Sequence, residues 1–295
     1  MDLIERLKNY KEPHCYQYQM RLDNLENDLK ELNMTLEESK LLRVNDFYFE
    51  SVDMVDSKTK KECFDFIVKN EYLGNLTQYS TNYYTCRLKS NNFLSGVLIF
   101  SMPNAFSKLL GENTKDIERL LSRGACSGFT PKNLASAFIM WSIKNMVQTT
   151  NYRLFTCYSD PTARELGTVY QATNFYYLGQ KSGTTTRYIN PYTGKVVSDR
   201  FFRQKTAYRK YAVELGIVWK KDWSHKTGIN WQNIPDDIEK LLREHSKQKQ
   251  KSSQKIDMPS KHKYAYVLGK DNRETKILRK IFEERNKLYS YPKER

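Results

Sequence analysis

What the chain has little of narrows the field before any motif is sought. Its five cysteines, Cys15, Cys63, Cys86, Cys126 and Cys157, are odd in number, scattered, and include no C-x-x-C pair. That pattern argues against a disulfide framework and a zinc ribbon, and it fits reduced thiols in a cytoplasmic setting. The four histidines, His14, His225, His245 and His262, form no H-x-x-x-H pair. They fall outside the segments that read as a folded core, so no metal site is expected. No apolar run approaches the ~18 residues of a membrane span. Met1-Asp2-Leu3-Ile4-Glu5 carries acids where a secretory leader needs an apolar stretch. A cytoplasmic protein without a membrane partner is the expectation.

What is abundant is positive charge and tyrosine. The net charge is +15, and 21 Tyr and 14 Phe supply much of the apolar surface. The charge is uneven: residues 1–200 hold 25 Lys and Arg against 22 Asp and Glu, whereas residues 201–295 hold 24 against 12. A basic final third points either to a polyanion partner such as nucleic acid or to a solvated tail. At 295 residues one large domain with appendages is expected. The pattern divides it into a helical extension over 1–45, an α/β domain over 46–200 and a basic region over 201–295.

Residues 16–42 read as a helix pair. Leu22, Leu25, Leu29 and Leu32 share one helical face, suited either to a dimer contact or to packing on the chain's own core. Thr35 and Glu38 make a capping box for the second helix. A helix is predicted over Lys58–Lys69. Strands are predicted over Tyr83–Leu88, Ser95–Phe100 and Ile117–Cys126, with a turn at Ser90-Asn91-Asn92 between the first two. Pro131 opens a helix to about Val147. A strand over Arg153–Tyr158, a helix from Pro161 to Ala172 and a strand at Tyr176–Leu178 follow. A ribbon over Tyr188–Val197, turning at Thr193-Gly194, closes the folded unit. Ser246–Lys255 lacks apolar anchors and reads as a linker. Tyr264–Leu268 is a strand candidate, and Arg273–Lys287 a helix. The order is α/β, with an antiparallel meander feeding a parallel crossover.

In such a sheet the natural ligand site lies at the carboxyl ends of adjacent parallel strands. Here these are Arg123–Ser127 and Tyr158–Asp160, each leading into a helix start that suits an anion. The turn Thr130-Pro131-Lys132-Asn133 therefore either holds an anionic cofactor or is an ordinary capped helix start. Asp160 either accepts a proton or orients a substrate, or caps the helix after it, as Ser159 also can.

The run from Ala163 to Phe175, with Leu166-Gly167-Thr168-Val169-Tyr170 at its centre, resembles the last helix of GNAT acyltransferases. Tyr158-Ser159-Asp160 followed by Val169-Tyr170-Gln171-Ala172-Thr173-Asn174-Phe175 is similar, more narrowly, to the Mom family of GNAT-like DNA modification proteins. Leu121-Ser122-Arg123 with Pro131-Lys132-Asn133 and Ser136, and the distal Lys261–Lys270 and Tyr291-Pro292-Lys293 stretches, agree with that match. The resemblance covers roughly residues 60–200 and 260–293. It implies a GNAT-like mixed sheet with flanking helices, an N-terminal helical extension and a basic C-terminal extension. It also implies an acyl-CoA cofactor such as acetyl-CoA between two splayed central strands, and DNA as the partner.

By the same resemblance Tyr170 protonates the departing thiolate, and Asp160 and Tyr158 stand beside it as catalytic candidates. Arg123 pairs with cofactor or phosphate, or else makes an ion pair within the sheet. The Gly-rich helix start usual in GNAT enzymes is replaced by Lys132-Asn133-Leu134-Ala135-Ser136. Lys132, Asn133 and Ser136, together with Asn174, are therefore expected to bind the cofactor through side chains. Tyr72, Gln171 and Tyr176 are expected on the substrate side, with Tyr177 nearby. Where Mom relatives often show His-Tyr this chain has Glu71-Tyr72, so no role that needs imidazole carries over.

The reaction the resemblance implies modifies the exocyclic amine of adenine, with methylcarbamoylation as the suggested form, to protect phage-type DNA from nucleases. That amine is delocalised and paired in duplex DNA. It needs positioning, proton removal and an unstacked base. The same residues leave open a GNAT acetyltransferase acting on protein, RNA or a small amine, and a non-catalytic DNA-binding GNAT scaffold.

Overall fold

The computed structural model describes residue 7 and residues 10–53, 55–76, 80–103, 105–112, 114–182, 186–226 and 228–293; Met1–Glu5 lie outside them. Two compact units are formed, one from residues 9–182 with 261–295 and the other from residues 1–8 with 183–260. The chain leaves the first unit after β6, Tyr176–Ser182, and returns to it at β10, Lys261–Val267. The residues after 201 are thus shared between the two units instead of forming one appendage.

The first unit is built on seven strands. These are β1 (Phe47–Ser51), β2 (Ser80–Leu88), β3 (Leu94–Ser101), β4 (Glu118–Cys126), β5 (Leu154–Ser159), β6 and β10, in the order β1-β2-β3-β4-β5-β10-β6. Only β4 and β5 run parallel. This is the mixed sheet expected from the resemblance. The near-continuous apolar run of β3 is explained by cover on both faces. Leu98 and Phe100 join one cluster with Phe138, Ile143 and Met146 of helix α4, Leu134–Thr149. Val97 and Ile99 join the other with Cys63, Phe66 and Ile67 of helix α3, Ser57–Asn70. The β2–β3 turn falls where expected, with Asn92 in the left-handed region at φ 62°.

The expected helix pair comprises α1, Tyr16–Glu31, and α2, Leu36–Leu41. The capping box is present: Glu38 N–H donates to Thr35 Oγ1 at 3.2 Å, and Thr35 N–H to Glu38 Oε2 at 2.7 Å. Leu25, Leu29 and Leu32 pack on the large core, while Leu22 is exposed. Polar clamps fix α1 to the end of α3. Asn24 Nδ2 donates to Lys69 O at 2.9 Å, and Lys69 Nζ lies 2.6 Å from the buried Asp28.

Three sequence expectations are corrected. The Pro161–Ala172 segment is not one helix: a 3-10 turn over Pro161–Ala163 and helix α5, Thr168–Ala172, flank a bend at Arg164 and Gly167, both left-handed at φ 55° and 66°. The Tyr188–Val197 ribbon does not close the main sheet. Its strands β7, Thr186–Ile189, and β8, Val196–Val197, join β9, Lys255–Asp257, in a separate three-stranded sheet of the second unit. Ser246–Lys255 is no linker either. It is the polar end of helix α7, Asp236–Ser252, followed by β9. Its anchors lie upstream or are themselves polar. Leu242 packs with Tyr208 and Tyr211 of α6, Lys205–Glu214, and buried Ser246 donates to Phe202 O at 2.7 Å.

The Arg164–Gly167 bend is held by Tyr264, whose hydroxyl donates to Leu166 O. A Cβ on Gly167 would lie 2.6 Å from Tyr264 Cε2. Gly167→Ala adds that clash to a left-handed backbone that alanine resists, so it is expected to destabilise the protein by about 1–3 kcal/mol. A lowered urea midpoint at unchanged slope checks this, and a midpoint equal to wild type refutes it.

Candidate active site

The site begins with an interruption in the sheet. β4 and β5 pair at only three positions, Glu118 with Leu154, Arg119 with Phe155 and Leu120 with Thr156. Beyond these, Leu121–Cys126 pair only with β3, and Cys157–Ser159 only with β10. Buried Glu118 braces the closed end. It accepts from Ser107 N–H at 2.8 Å, Ser107 Oγ at 2.9 Å and Thr156 Oγ1 at 3.2 Å.

Where the strands part, a cavity of about 570 Å³ opens. It lies at the strand ends that the sequence singled out. Leu98, Leu120, Ala135 and Ile139 give it apolar walls. Helix α1 closes one side with Tyr18 and Arg21. Arg21 Nη2 donates to Ser127 O at 3.2 Å and Thr130 Oγ1 at 3.3 Å, tying α1 to the loop that starts α4. The approach is so close that a Cβ on Gly128 would sit 2.3 Å from Arg21 O. The N-terminal helix is therefore a wall of the site.

Of the residues expected from the sequence, Tyr170, Asp160, Tyr158, Tyr72 and Arg123 line this cavity. Burial raises the Tyr170 phenol well above its ordinary value, with Cys157 and Glu165 adding to the shift, so it is a neutral donor at pH 7. Tyr72 is shifted the same way, by burial first and then by Glu165, Asp160 and Glu71. Of the roles open to it, Asp160 takes the capping one. It caps Thr162 N–H at 2.9 Å and pairs with Lys261 Nζ at 2.9 Å. Burial alone would raise its carboxyl, but Lys261 and Thr162 outweigh that and hold it below the ordinary range. An ionised, ion-paired Asp160 orients Lys261 and is a poor proton acceptor. Arg123 donates to Asn75 O at 2.6 Å and to Asn75 Oδ1 at 2.7 Å, and its Nε lies 3.7 Å from Glu71 Oε2. Its guanidinium is largely committed to this loop.

The other expected residues lie away from the cavity. Lys132 and Asn133 are exposed at the start of α4, and Ser136 Oγ donates back to Asn133 O at 2.9 Å. Asn174 closes α5 in the left-handed region at φ 57°. Gln171 Nε2 donates to Leu166 O at 2.8 Å and so supports the bend. Tyr176 packs on Phe282 of helix α8, Asn272–Arg285, and donates to Glu283 at 2.6 Å.

Two carboxyls that sequence reasoning passed over complete the wall. Glu71 is buried, and its Oε2 has no hydrogen-bond partner. Burial pushes it up to about 7 against the pull of Arg123 and of the Leu73 and Gly74 N–H groups. Glu165, whose Oε2 accepts Asp160 N–H at 3.1 Å, is also pushed up to about 7 by burial, with repulsion from Asp160 and Glu71. Glu165 was hidden because the stretch that carries it read as continuous helix. Glu71 was passed over because imidazole was the side chain sought there. His262, placed outside the core by its position in the chain, is instead buried on β10 and hydrogen-bonded through Nδ1 to the Tyr177 hydroxyl at 2.7 Å. Among the described residues no three His, Cys, Asp or Glu side chains are grouped to hold a metal ion, and no helix is long and apolar enough to cross a membrane.

Fold and site together define a mixed α/β protein with a ligand-sized cavity where two parallel strands part. A family model, the Mom protein family, matches residues 53–293, and the chain belongs to that family. No curated protein matches the chain. Among solved structures it is similar to a GNAT family acetyltransferase from Elizabethkingia anophelis with acetyl-CoA bound. That match has 9% identity over 76% of this chain and 99% of the other, with a TM-score of 0.34. It is also similar to an acetyltransferase from Bacillus subtilis in complex with CoA, at 9% identity over 75% and 99% of the two chains and a TM-score of 0.34.

The raised carboxyls set a pH dependence. A proton on Glu71 stabilises the folded chain fully below its ordinary value of 4.5, and that contribution is lost as pH rises through about 7. Glu71→Gln, which mimics the protonated form, is therefore expected to melt several degrees above wild type near about pH 8.5 and level with it near about pH 5. Equal melting temperatures at both pH values would refute the assignment.

Proposed function

We propose that the protein is an acyl-CoA-dependent transferase that modifies the exocyclic amine of adenine in DNA. One observation carries the reading: the parting of β4 from β5, which opens a cavity of about 570 Å³ with the half-buried, neutral Tyr170 phenol on its wall. Membership of the Mom family supports it.

The facing strand edges beyond Leu120 and Thr156 are unpaired with each other, and main-chain groups so placed suit a linear, amide-bearing ligand that lies between them as an extra strand would. The pantetheine arm of an acyl-CoA has that chemistry, and the apolar walls suit its methylenes. An acyl-CoA bound there supplies an activated carbonyl and a thiol leaving group. The chain's part is to exclude water, align the acceptor and hold a proton at the Tyr170 oxygen for the departing sulfur. The Asp160–Lys261 pair fixes β5 to β10 beside that proton. The start of α4 presents Lys132 and Asn133 to solvent, where side chains can meet phosphate groups in place of a glycine-rich loop.

DNA as acceptor is supported by charge. Residues 183–260 carry sixteen Lys and Arg against eight Asp and Glu, a balance suited to phosphate neutralisation. Because the adenine amine is paired in duplex DNA, the base must leave the stack before transfer.

Plasmid DNA from cells that express the protein, digested to nucleosides and weighed by mass spectrometry, is expected to contain a heavier adenosine. Tyr170→Phe is expected to lower its amount about tenfold to hundredfold. An unchanged nucleoside profile with well-folded protein would rule DNA out as the acceptor.

A further inference from the structure

A second cavity, of about 520 Å³, shares two lining residues with the first, Glu165 and Leu166. Arg164, Tyr177, Gln180, His262, Ser290 and Lys293 line the rest of its polar wall. The first cavity sets its cations and phenols, Arg21, Arg123, Lys261 and Tyr170 among them, against aliphatic side chains and the parted edges of β4 and β5; no residue of those two strands lines the second. Here the groups are cationic, amide and aromatic, the set that pairs with phosphate oxygens, the edge of a heterocyclic base and its face.

We propose that this second cavity receives the acceptor base, and that Glu165, on the wall common to both cavities, accepts the proton that the base's amine gives up. The inference rests on the transferase reading above and adds to it a base and a place for the acceptor. In the step, the amine lone pair forms the new bond to the thioester carbonyl carbon and the carbon–sulfur bond breaks. The proton lost by the amine passes to Glu165, while the sulfur takes the proton of Tyr170. Exchange with water then returns Glu165 and Tyr170 to their starting forms, so the net products are the modified base and a free thiol.

Three other groups are less suited to this role. Asp160 is held ionised by Lys261 at 2.9 Å and by Thr162 N–H. Glu71 faces only the first cavity and lies 3.7 Å from Arg123. His262 faces only the second, with Nδ1 taken by the Tyr177 hydroxyl. Among the described residues Glu165 has no cation as a hydrogen-bond or ion-pair partner, and the left-handed residues Arg164 and Gly167 set its place on the wall. The charged and titratable groups around it are Asp160, Lys261, Glu71 and Tyr170 on the first side, and Arg164, His262 and Lys293 on the second. With Asp160 and Glu71 repelling a further negative charge, burial moves its proton affinity up to about 7, where a base is half in its working form at neutral pH.

The test uses full-length protein, acetyl-CoA and single-stranded DNA. In wild type, kcat/KM for DNA is expected to rise through about pH 7 and level off above it. Glu165→Gln is expected to lose that limb and about a hundredfold of kcat/KM near about pH 8, with the calorimetric Kd for acetyl-CoA within about threefold of wild type. Glu165→Asp keeps a carboxylate and is expected to retain the limb at reduced rate, which guards against reading a folding defect as chemistry. Gln180→Trp, which fills the second cavity, is expected to raise KM for DNA about tenfold while kcat and the acetyl-CoA Kd hold. A Glu165→Gln protein that keeps the pH limb and most of the activity overturns the base. A Gln180→Trp protein with wild-type KM overturns the acceptor cavity. A wild type that binds acetyl-CoA and transfers nothing to DNA removes the transferase reading itself, and this inference with it.

Discussion

The constraint on which the rest of the site depends is that β4 and β5 are hydrogen-bonded over three residue pairs and then separate. Parallel strands normally stay paired along their shared length, because an unpaired main-chain group away from water is costly. Here each strand keeps its outer partner, β3 for β4 and β10 for β5, so the sheet survives while its middle opens. The buried Glu118 bracket holds the closed end together. The cluster around α4 includes residues from strands on both sides of the gap, and α3 covers the opposite face of β2, β3 and β4. The cavity is thus a consequence of sheet topology, and its chemistry is set by whichever side chains the two diverging edges present.

Those side chains are arranged as opposites in a small space. Asp160 is kept ionised by Lys261, while burial pushes Glu71 and Glu165 up to about 7, Glu165 with added repulsion from Asp160 and Glu71. Tyr170 and Tyr72 are held firmly protonated. An enclosure with one fixed anion, two carboxyls that exchange protons near pH 7 and two neutral phenols is equipped to move protons in both directions. That capacity matters for a delocalised amine, which gives up a proton as the new bond forms, and for a thiolate, which takes one up.

The second unit is an insertion between two adjacent strands of the main sheet, β6 and β10. It has its own core around Tyr208, Tyr211 and Leu242 and its own small sheet. The linker reading of Ser246–Lys255 failed because α7 buries a serine and a leucine rather than a full apolar stripe. A window of Lys, Gln and Ser then carries no hydrophobic period even though it is helical.

The sequence by itself determined most of the elements. The leucine spacing of α1, the Thr35–Glu38 box, the Asn91-Asn92 turn and the apolar run of β3 are local signals, and local physics decides them. It also pointed to the ends of β4 and β5, where the cavity opens, and Arg123, Tyr158 and Asp160 line that cavity because they lie on or beside those strand ends. Only the tertiary structure decided the remainder. That β10 slots between β5 and β6 put Lys261 on Asp160 and buried His262, a contact across a hundred residues that no spacing rule contains. That the chain bends at Arg164 and Gly167 turned Glu165 onto a shared wall and left Gln171, Asn174 and Tyr176 to support the fold. A carboxyl's proton affinity depends on what surrounds it, and those surroundings exist only once distant segments have packed.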